Sequence, residues 1–188
     1  FDVPAYTTLT LKWLTLTGGR MSVSGGSIHV TGTGSTVHAT ACVFFLNAAG
    51  LYGGGVYNSG EGSLHVYHSN ITGNTAGSLG GGVYNYRGFL VVQDSIIADN
   101  RAADIGGGIF QWKGTLTITR SVIKDNRQTA GTGAYIGGGG VGIQYNAVVT
   151  IRESAFDQNY AEGSNNGHQI FAHKWNSQGG TPAVTVVN

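Results

Sequence analysis

Hydrophobic and polar residues alternate in short segments along the chain, and the same alternation returns at similar intervals. Alternation with a period of two over about five residues predicts a β-strand that buries one face. The predicted inward pairs, two residues apart, are Leu9 and Leu11, Val37 and Ala39, Leu64 and Val66, Leu90 and Val92, Leu116 and Ile118, Val149 and Ile151, and Val184 and Val186.

Two further landmarks recur in phase with these segments. A run of glycines begins at Gly53, Gly80, Gly106 and Gly137 and is followed by a β-branched residue. After each strand, an apolar residue precedes an asparagine by three positions, as in Phe44–Asn47, Ile71–Asn74, Ile97–Asn100, Ile123–Asn126 and Phe156–Asn159. Motifs that recur in this way along a chain are typical of solenoids, in which each repeat completes its core by stacking on its neighbours.

The repeat predicts an all-β fold: a single-stranded, right-handed parallel β-helix of about seven coils, forming one domain over residues 1–188. Stacking at about 4.8 Å places like residues over like, and crossovers between parallel strands are almost always right-handed. The period stretches near 127–136 and 161–182, where we expect loop insertions. The Asn column is predicted to form a buried structural ladder that satisfies turn amides; it contains Asn47, Asn74, Asn100, Asn126 and Asn159.

Composition narrows the functional classes. Charged residues make up 10% of the chain, the formal net charge is +1 and no Lys/Arg run occurs, which argues against nucleic-acid partners. The single cysteine, Cys42, excludes an internal disulfide framework. No apolar stretch approaches the roughly 18 residues of a transmembrane segment, so none is expected. The chain starts at Phe1 without a visible signal peptide, which fits a processed chain or a fragment.

The glycine and apolar-x-x-Asn landmarks together resemble the repeats of the polymorphic outer-membrane protein family and of other right-handed β-helix surface proteins in bacteria and algae. The matching stretches are Gly53–Asn58, Ile71–Asn74, Gly80–Asn85, Ile97–Asn100, Gly106–Gln111 and Ile123–Asn126. The resemblance implies a scaffold of the kind found in adhesins, autotransporter passengers and large surface proteins. The sequence lacks a translocator segment, so the resemblance does not extend to membrane anchoring.

We therefore expect an extracellular or cell-surface structural or adhesive module rather than an enzyme. Residues 182–188 are strand-like, and no amphipathic capping helix is visible at either end. The unpaired N–H and C=O groups of an edge strand can pair with a strand of another chain. The expected partners are neighbouring copies, stacked end to end in a filament, or an adjoining solenoid.

The rival hypothesis is a β-helix enzyme that binds or cleaves polysaccharide. Asp99 and Asp125 occupy the same predicted column on adjacent coils, and paired carboxylates can act as acid and base or hold Ca²⁺. A solvated pair of turn carboxylates explains the same pattern. No other metal or cofactor is expected, although His38 and His65 also share a column.

Two surface features are candidates for binding and modification. The aromatic column Tyr57, Tyr84 and Phe110, flanked by the amide column Asn58, Asn85 and Gln111, would stack sugar rings if exposed and would form a stabilising ladder if covered. Asn70-Ile71-Thr72 is an N-glycosylation acceptor with Asn70 facing outward.

Overall fold

The computed structural model describes residues 1–129, 137–162, 167–173 and 180–187, and within these ranges it contains strands and turns but no helix. Each strand pairs in parallel with its counterpart in the adjacent coil, on both sides for the inner strands and on one side for the edge strands, which produces four sheets along a β-solenoid. Two sheets have seven strands and two have six, so the predicted parallel β-solenoid of about seven coils is confirmed.

The four sheets, named A to D here, are visited in that order by each coil. Sheet A consists of Asp2–Val3, Ile28–Val30, Val56–Asn58, Val83–Asn85, Ile109–Trp112, Val141–Gln144 and Ile170–His173. Sheet B consists of Thr8–Lys12, Thr36–Thr40, Ser63–Tyr67, Phe89–Gln93, Thr115–Thr119, Val148–Arg152 and Ala183–Val187.

Sheets C and D complete the coil. Sheet C consists of Thr15–Thr17, Val43–Phe45, Asn70–Thr72, Ile96–Ala98, Val122–Lys124 and Ala155–Asp157. Sheet D consists of Arg20–Met21, Ala48–Ala49, Thr75–Ala76, Arg101–Ala102, Arg127–Gln128 and Tyr160–Ala161.

The register places like residues over like. In sheet B, Leu64 lies between Val37 and Leu90, and Val66 lies between Ala39 and Val92. The inward side chains of sheets A, B and C meet in one apolar core that runs along the stack. The predicted inward pairs of the middle coils are buried, whereas Leu14, Val184 and Val186 at the two ends of the described stack are exposed because no described coil covers them.

The predicted loop insertions fall largely outside the described residues, at 130–136, 163–166 and 174–179. Within the insertion predicted at 161–182, the described strand Ile170–His173 pairs with Val141–Gln144 and continues sheet A. The stretched period in that region therefore contains a further strand of the solenoid.

The chain turns from sheet B to sheet C, and from sheet C to sheet D, at residues in the left-handed conformation. Between sheets B and C these are Trp13, Ala41, His68, Asp94, Arg120 and Glu153; between sheets C and D they are Gly18, Leu46, Gly73, Asp99, Asp125 and Gln158. The residue before each ladder asparagine therefore takes the positive φ, and not the asparagine itself. That frees the asparagine side chain to point inward.

The glycine runs have two separate causes. Gly53 has φ of +60°, a conformation that costs an L-residue with a Cβ about 1–2 kcal/mol. At Gly54 a Cβ would overlap the carbonyl oxygens of Gly81 and Thr75, because sheet D and the start of sheet A approach closely there. The second glycine is thus needed for space, whereas the first is needed both for its dihedral angle and because a Cβ would overlap the carbonyl oxygen of Val56.

Candidate functional site

The asparagine column forms a continuous hydrogen-bonded ladder inside the solenoid. The side-chain nitrogen of Asn74 donates to Oδ1 of Asn100 at 3.0 Å and to the carbonyl oxygen of Phe44 at 3.0 Å, and the backbone N–H of Asn74 donates to the same Oδ1. The pattern repeats from Asn47 to Asn159. The five side chains are buried and partnered, so they stabilise the turn between sheets C and D.

The predicted binding amides form a second internal ladder. Asn58, Asn85 and Gln111 are fully buried, with Asn58 Nδ2 donating to Asn85 Oδ1 at 2.8 Å and Asn85 Nδ2 donating to Gln111 Oε1 at 3.0 Å. Gln111 also donates to the carbonyl oxygen of Lys113. These amides face inward at the end of sheet A, so the expectation that they flank an exposed binding surface needs correction.

The predicted aromatic column is present, but its rings cover one another. Tyr57 stacks on Tyr84 and on His29, with centroid distances of 5.0 Å in each case, and Tyr84 lies 5.0 Å from Phe110. Tyr84 and Phe110 are buried although they point outward from sheet A. Tyr84 and Phe110 therefore have the covered arrangement for which the sequence predicts a stabilising ladder, whereas the sugar-stacking alternative required exposed rings.

A tyrosine-rich cluster accounts for that burial. Ile105 packs with Tyr84 and Phe110, and the half-buried side chains Tyr52, Tyr57, Leu79, Tyr86 and Trp112 surround them. Tyr52, Leu79 and Ile105 belong to one column of bridges just before sheet A. Tyr86 directly follows the sheet A strand Val83–Asn85, and Trp112 is the last residue of the strand Ile109–Trp112. The flanking aromatic residues escaped the sequence interpretation because their columns mix ring, aliphatic and polar residues.

Burial sets the protonation of the cluster. Desolvation, with a smaller contribution from Tyr52 and Tyr86, raises the pKa of Tyr57 to about 12. The same cause raises the pKa of Tyr84 still further. Both phenols are therefore neutral over the physiological range, and neither acts as a base there.

The carboxylates of the enzyme hypothesis lie in a turn. Asp99 and Asp125 hold the left-handed position between sheets C and D, with φ of 55° and 53°. Lys124 Nζ lies 3.7 Å from Oδ2 of Asp125. Among the described residues, no group of three or more His, Cys, Asp or Glu side chains could hold a metal ion.

Sheet B and its following turn carry two outward pairs of residues on adjacent coils. Arg120 makes a bidentate ion pair with Asp94, at 2.7 and 2.8 Å, and this pair holds the pKa of Asp94 at about 2. His38 and His65 stack with ring centroids 4.8 Å apart. Burial and the neighbouring His38 lower the pKa of His65. Stacked rings favour mutual packing over convergence of their nitrogens on one ion.

Asn70 begins a strand of sheet C and is exposed, while its neighbour Ile71 is fully buried. The outward side chain is thus accessible for a glycan. No described helix has the length and hydropathy needed to cross a membrane.

The last described strand of sheet B is open on one side. Val184 and Val186 continue the inward columns of Val149 and Ile151, which are buried, yet they are 38% and 59% exposed. The backbone edge of this strand and the apolar face beside it can receive a further coil.

No known protein family, curated protein or solved structure matches the chain. The likeness to polymorphic outer-membrane protein repeats stays a prediction from the glycine and asparagine motifs, whereas the parallel β-solenoid is shown by the structure.

Proposed function

We propose that this chain is a structural and adhesive β-solenoid module of an extracellular or cell-surface assembly, stacked end to end with further coils. The observation that carries the proposal is the exposure of Val184 and Val186, two side chains in columns that are otherwise buried. Covering them with another strand in register would remove apolar surface from water and pair an open strand edge.

The interior supports a rod-like scaffold. The ladder from Asn47 to Asn159 links five successive coils through side-chain hydrogen bonds. A third ladder, in the turn after sheet B, runs through Cys42, Ser69, Ser95, Ser121 and Ser154. In it, each backbone N–H donates to the serine hydroxyl of the next coil. These polar groups are occupied in holding coils together, which favours a structural role over a catalytic one.

Surface properties fit the proposed setting. A net charge of +1 places little electrostatic repulsion between the ends of two copies. The exposed acceptor Asn70 is the position at which we propose a glycan if the chain passes through a eukaryotic secretory pathway.

The proposal is tested by sedimentation velocity of the 188-residue chain over a range of concentrations. We expect concentration-dependent association, and we expect Val186→Lys to abolish it because a charge would then lie between two apolar coils. Val187→Lys is the matched control, since Val187 lies on the same strand at the position paired with the exposed Arg152, so this change should leave association unaltered. A chain that remains monomeric at every concentration would overturn the proposal.

A further inference from the structure

Tyr52 and Tyr57 lie on either side of the turn that opens sheet A. Their ring centroids are 5.8 Å apart and the rings are tilted by 46°. Both residues are half-buried, so part of each remains in contact with solvent. The positive φ of Gly53 and the close packing at Gly54 fix the turn between them.

We propose that Tyr52 and Tyr57 are a site of oxidative cross-linking, in which a haem peroxidase with hydrogen peroxide joins the two rings as dityrosine. Each phenol gives up one electron and one proton, and the two phenoxyl radicals form a carbon–carbon bond between ring carbons ortho to the oxygens. The ortho protons then return to the oxygens, which restores both phenols. One molecule of hydrogen peroxide is reduced to two of water, and the protein loses two hydrogen atoms.

Accessibility singles out this pair. Tyr84 contacts both rings, at 5.0 Å for Tyr57 and 5.5 Å for Tyr52, but it is only 4% exposed, so it is far less accessible to an oxidant than they are. Among the ring contacts of the described residues, Tyr52 with Tyr57 is the one that joins two tyrosines of which neither is buried.

The fixed geometry favours coupling within one chain. Bringing two reactants into contact on a rigid frame replaces a bimolecular encounter by a unimolecular step. Tyr6, in contrast, is 85% exposed and has no ring contact with a described residue, so a radical formed there can couple only with another molecule. The supply of peroxide depends on the proposed extracellular placement, whereas the arrangement of the two rings does not.

The test exposes the monomeric fraction of the purified chain to a haem peroxidase and limiting hydrogen peroxide. We expect dityrosine fluorescence without a new dimer, and a cross-linked peptide pair containing Tyr52 and Tyr57 with two hydrogens fewer than its parts. Tyr52→Phe and Tyr57→Phe should each abolish this product. Phenylalanine keeps the ring packing, as Phe110 does in the column of Tyr57. Tyr6→Phe should leave the product unchanged.

A photochemically generated small oxidant, tris(bipyridyl)ruthenium with persulfate, provides a second arm that does not depend on enzyme access. Failure to form the Tyr52–Tyr57 link in both arms, or a link that persists in Tyr52→Phe, would overturn the site. A link formed by the small oxidant alone would overturn the peroxidase step. Because the assay uses monomer, its outcome is independent of whether the chain stacks end to end.

Discussion

Single buried amides determine how each coil joins the next. Asn100 illustrates this, because its Oδ1 accepts from both the backbone N–H and the side-chain nitrogen of Asn74, and its own Nδ2 donates to Asn126 and to the carbonyl of Ile71. A residue of this kind stabilises the fold mainly by preventing unsatisfied polar groups in the interior. The Asn ladder therefore behaves as one network and not as five separate contacts.

Asn100→Ala should be strongly destabilising. The change leaves two donors of Asn74 without their acceptor in the interior, and each unsatisfied buried group costs about 1–3 kcal/mol. We expect the free energy of unfolding in urea to fall by about 3 kcal/mol or more, allowing for the cavity as well. Asn70→Ala, at an exposed position, is the control and should change it little. An Asn100→Ala variant as stable as the control would show that the ladder contributes nothing.

Leu46→Gly tests the left-handed turn. Leu46 has φ of 53° and is 55% exposed, and the next coil has Gly73 at the same position. Glycine relieves about 1–2 kcal/mol of conformational strain and loses about 0.4–1 kcal/mol through the freer unfolded chain. We expect the free energy of unfolding to be unchanged or raised by up to about 1.6 kcal/mol. Phe45→Gly, one residue earlier in the strand, should destabilise; a comparable loss in both variants would contradict the assignment.

At the scale of the elements, the buried core could be predicted from the sequence, but the aromatic cluster on the outer face of sheet A could not. The columns that contain Leu64 and Val66, and the Asn ladder, follow from a period of two and a shared register. The short strands of sheet D, such as Ala48–Ala49, have too few residues to show alternation. Tyr84 and Phe110 occupy outward positions, so their burial depends on Tyr52, Leu79 and Trp112 from other segments, and a linear pattern does not show those contacts.

The free energy of unfolding of the chain should fall as the pH falls, because of partly buried histidines. The pKa of folded His65 is lowered by burial and by His38, so the unfolded chain binds a proton more readily than the folded one. The free energy of unfolding is therefore highest above the unfolded pKa of about 6.5, and it decreases as the pH falls from there toward the folded pKa. His29 contributes with the same sign, because burial outweighs the opposing charge of Asp2.

The measurement is the urea midpoint at about pH 7.5 and about pH 5.5, on either side of the ordinary histidine pKa. His65→Val, which installs the residue found at Val91 in the same column, should reduce the difference between the two midpoints. Thr117→Val, which makes the same kind of change in the same column without removing a titratable group, should leave it unchanged. An equal difference in the original chain and in His65→Val would refute the contribution of the stacked pair.

At the scale of the whole molecule, the described coils form a stack whose length is set by strand spacing. Seven strands at about 4.8 Å give roughly 34 Å along the axis. The middle coils bury their inward residues fully, whereas Leu14 at one end and Val186 at the other do not. A head-to-tail contact is heterologous, so copies that join in this way form an open filament rather than a closed dimer.

Electron microscopy of the purified chain at high concentration tests this geometry most directly. We expect rods of constant width whose lengths are multiples of roughly 34 Å, in line with one stack for each copy. We also expect Val186→Lys to leave single stacks and Val187→Lys to form rods. Particles that widen without lengthening, or that stay single in the unaltered chain, would contradict end-to-end stacking.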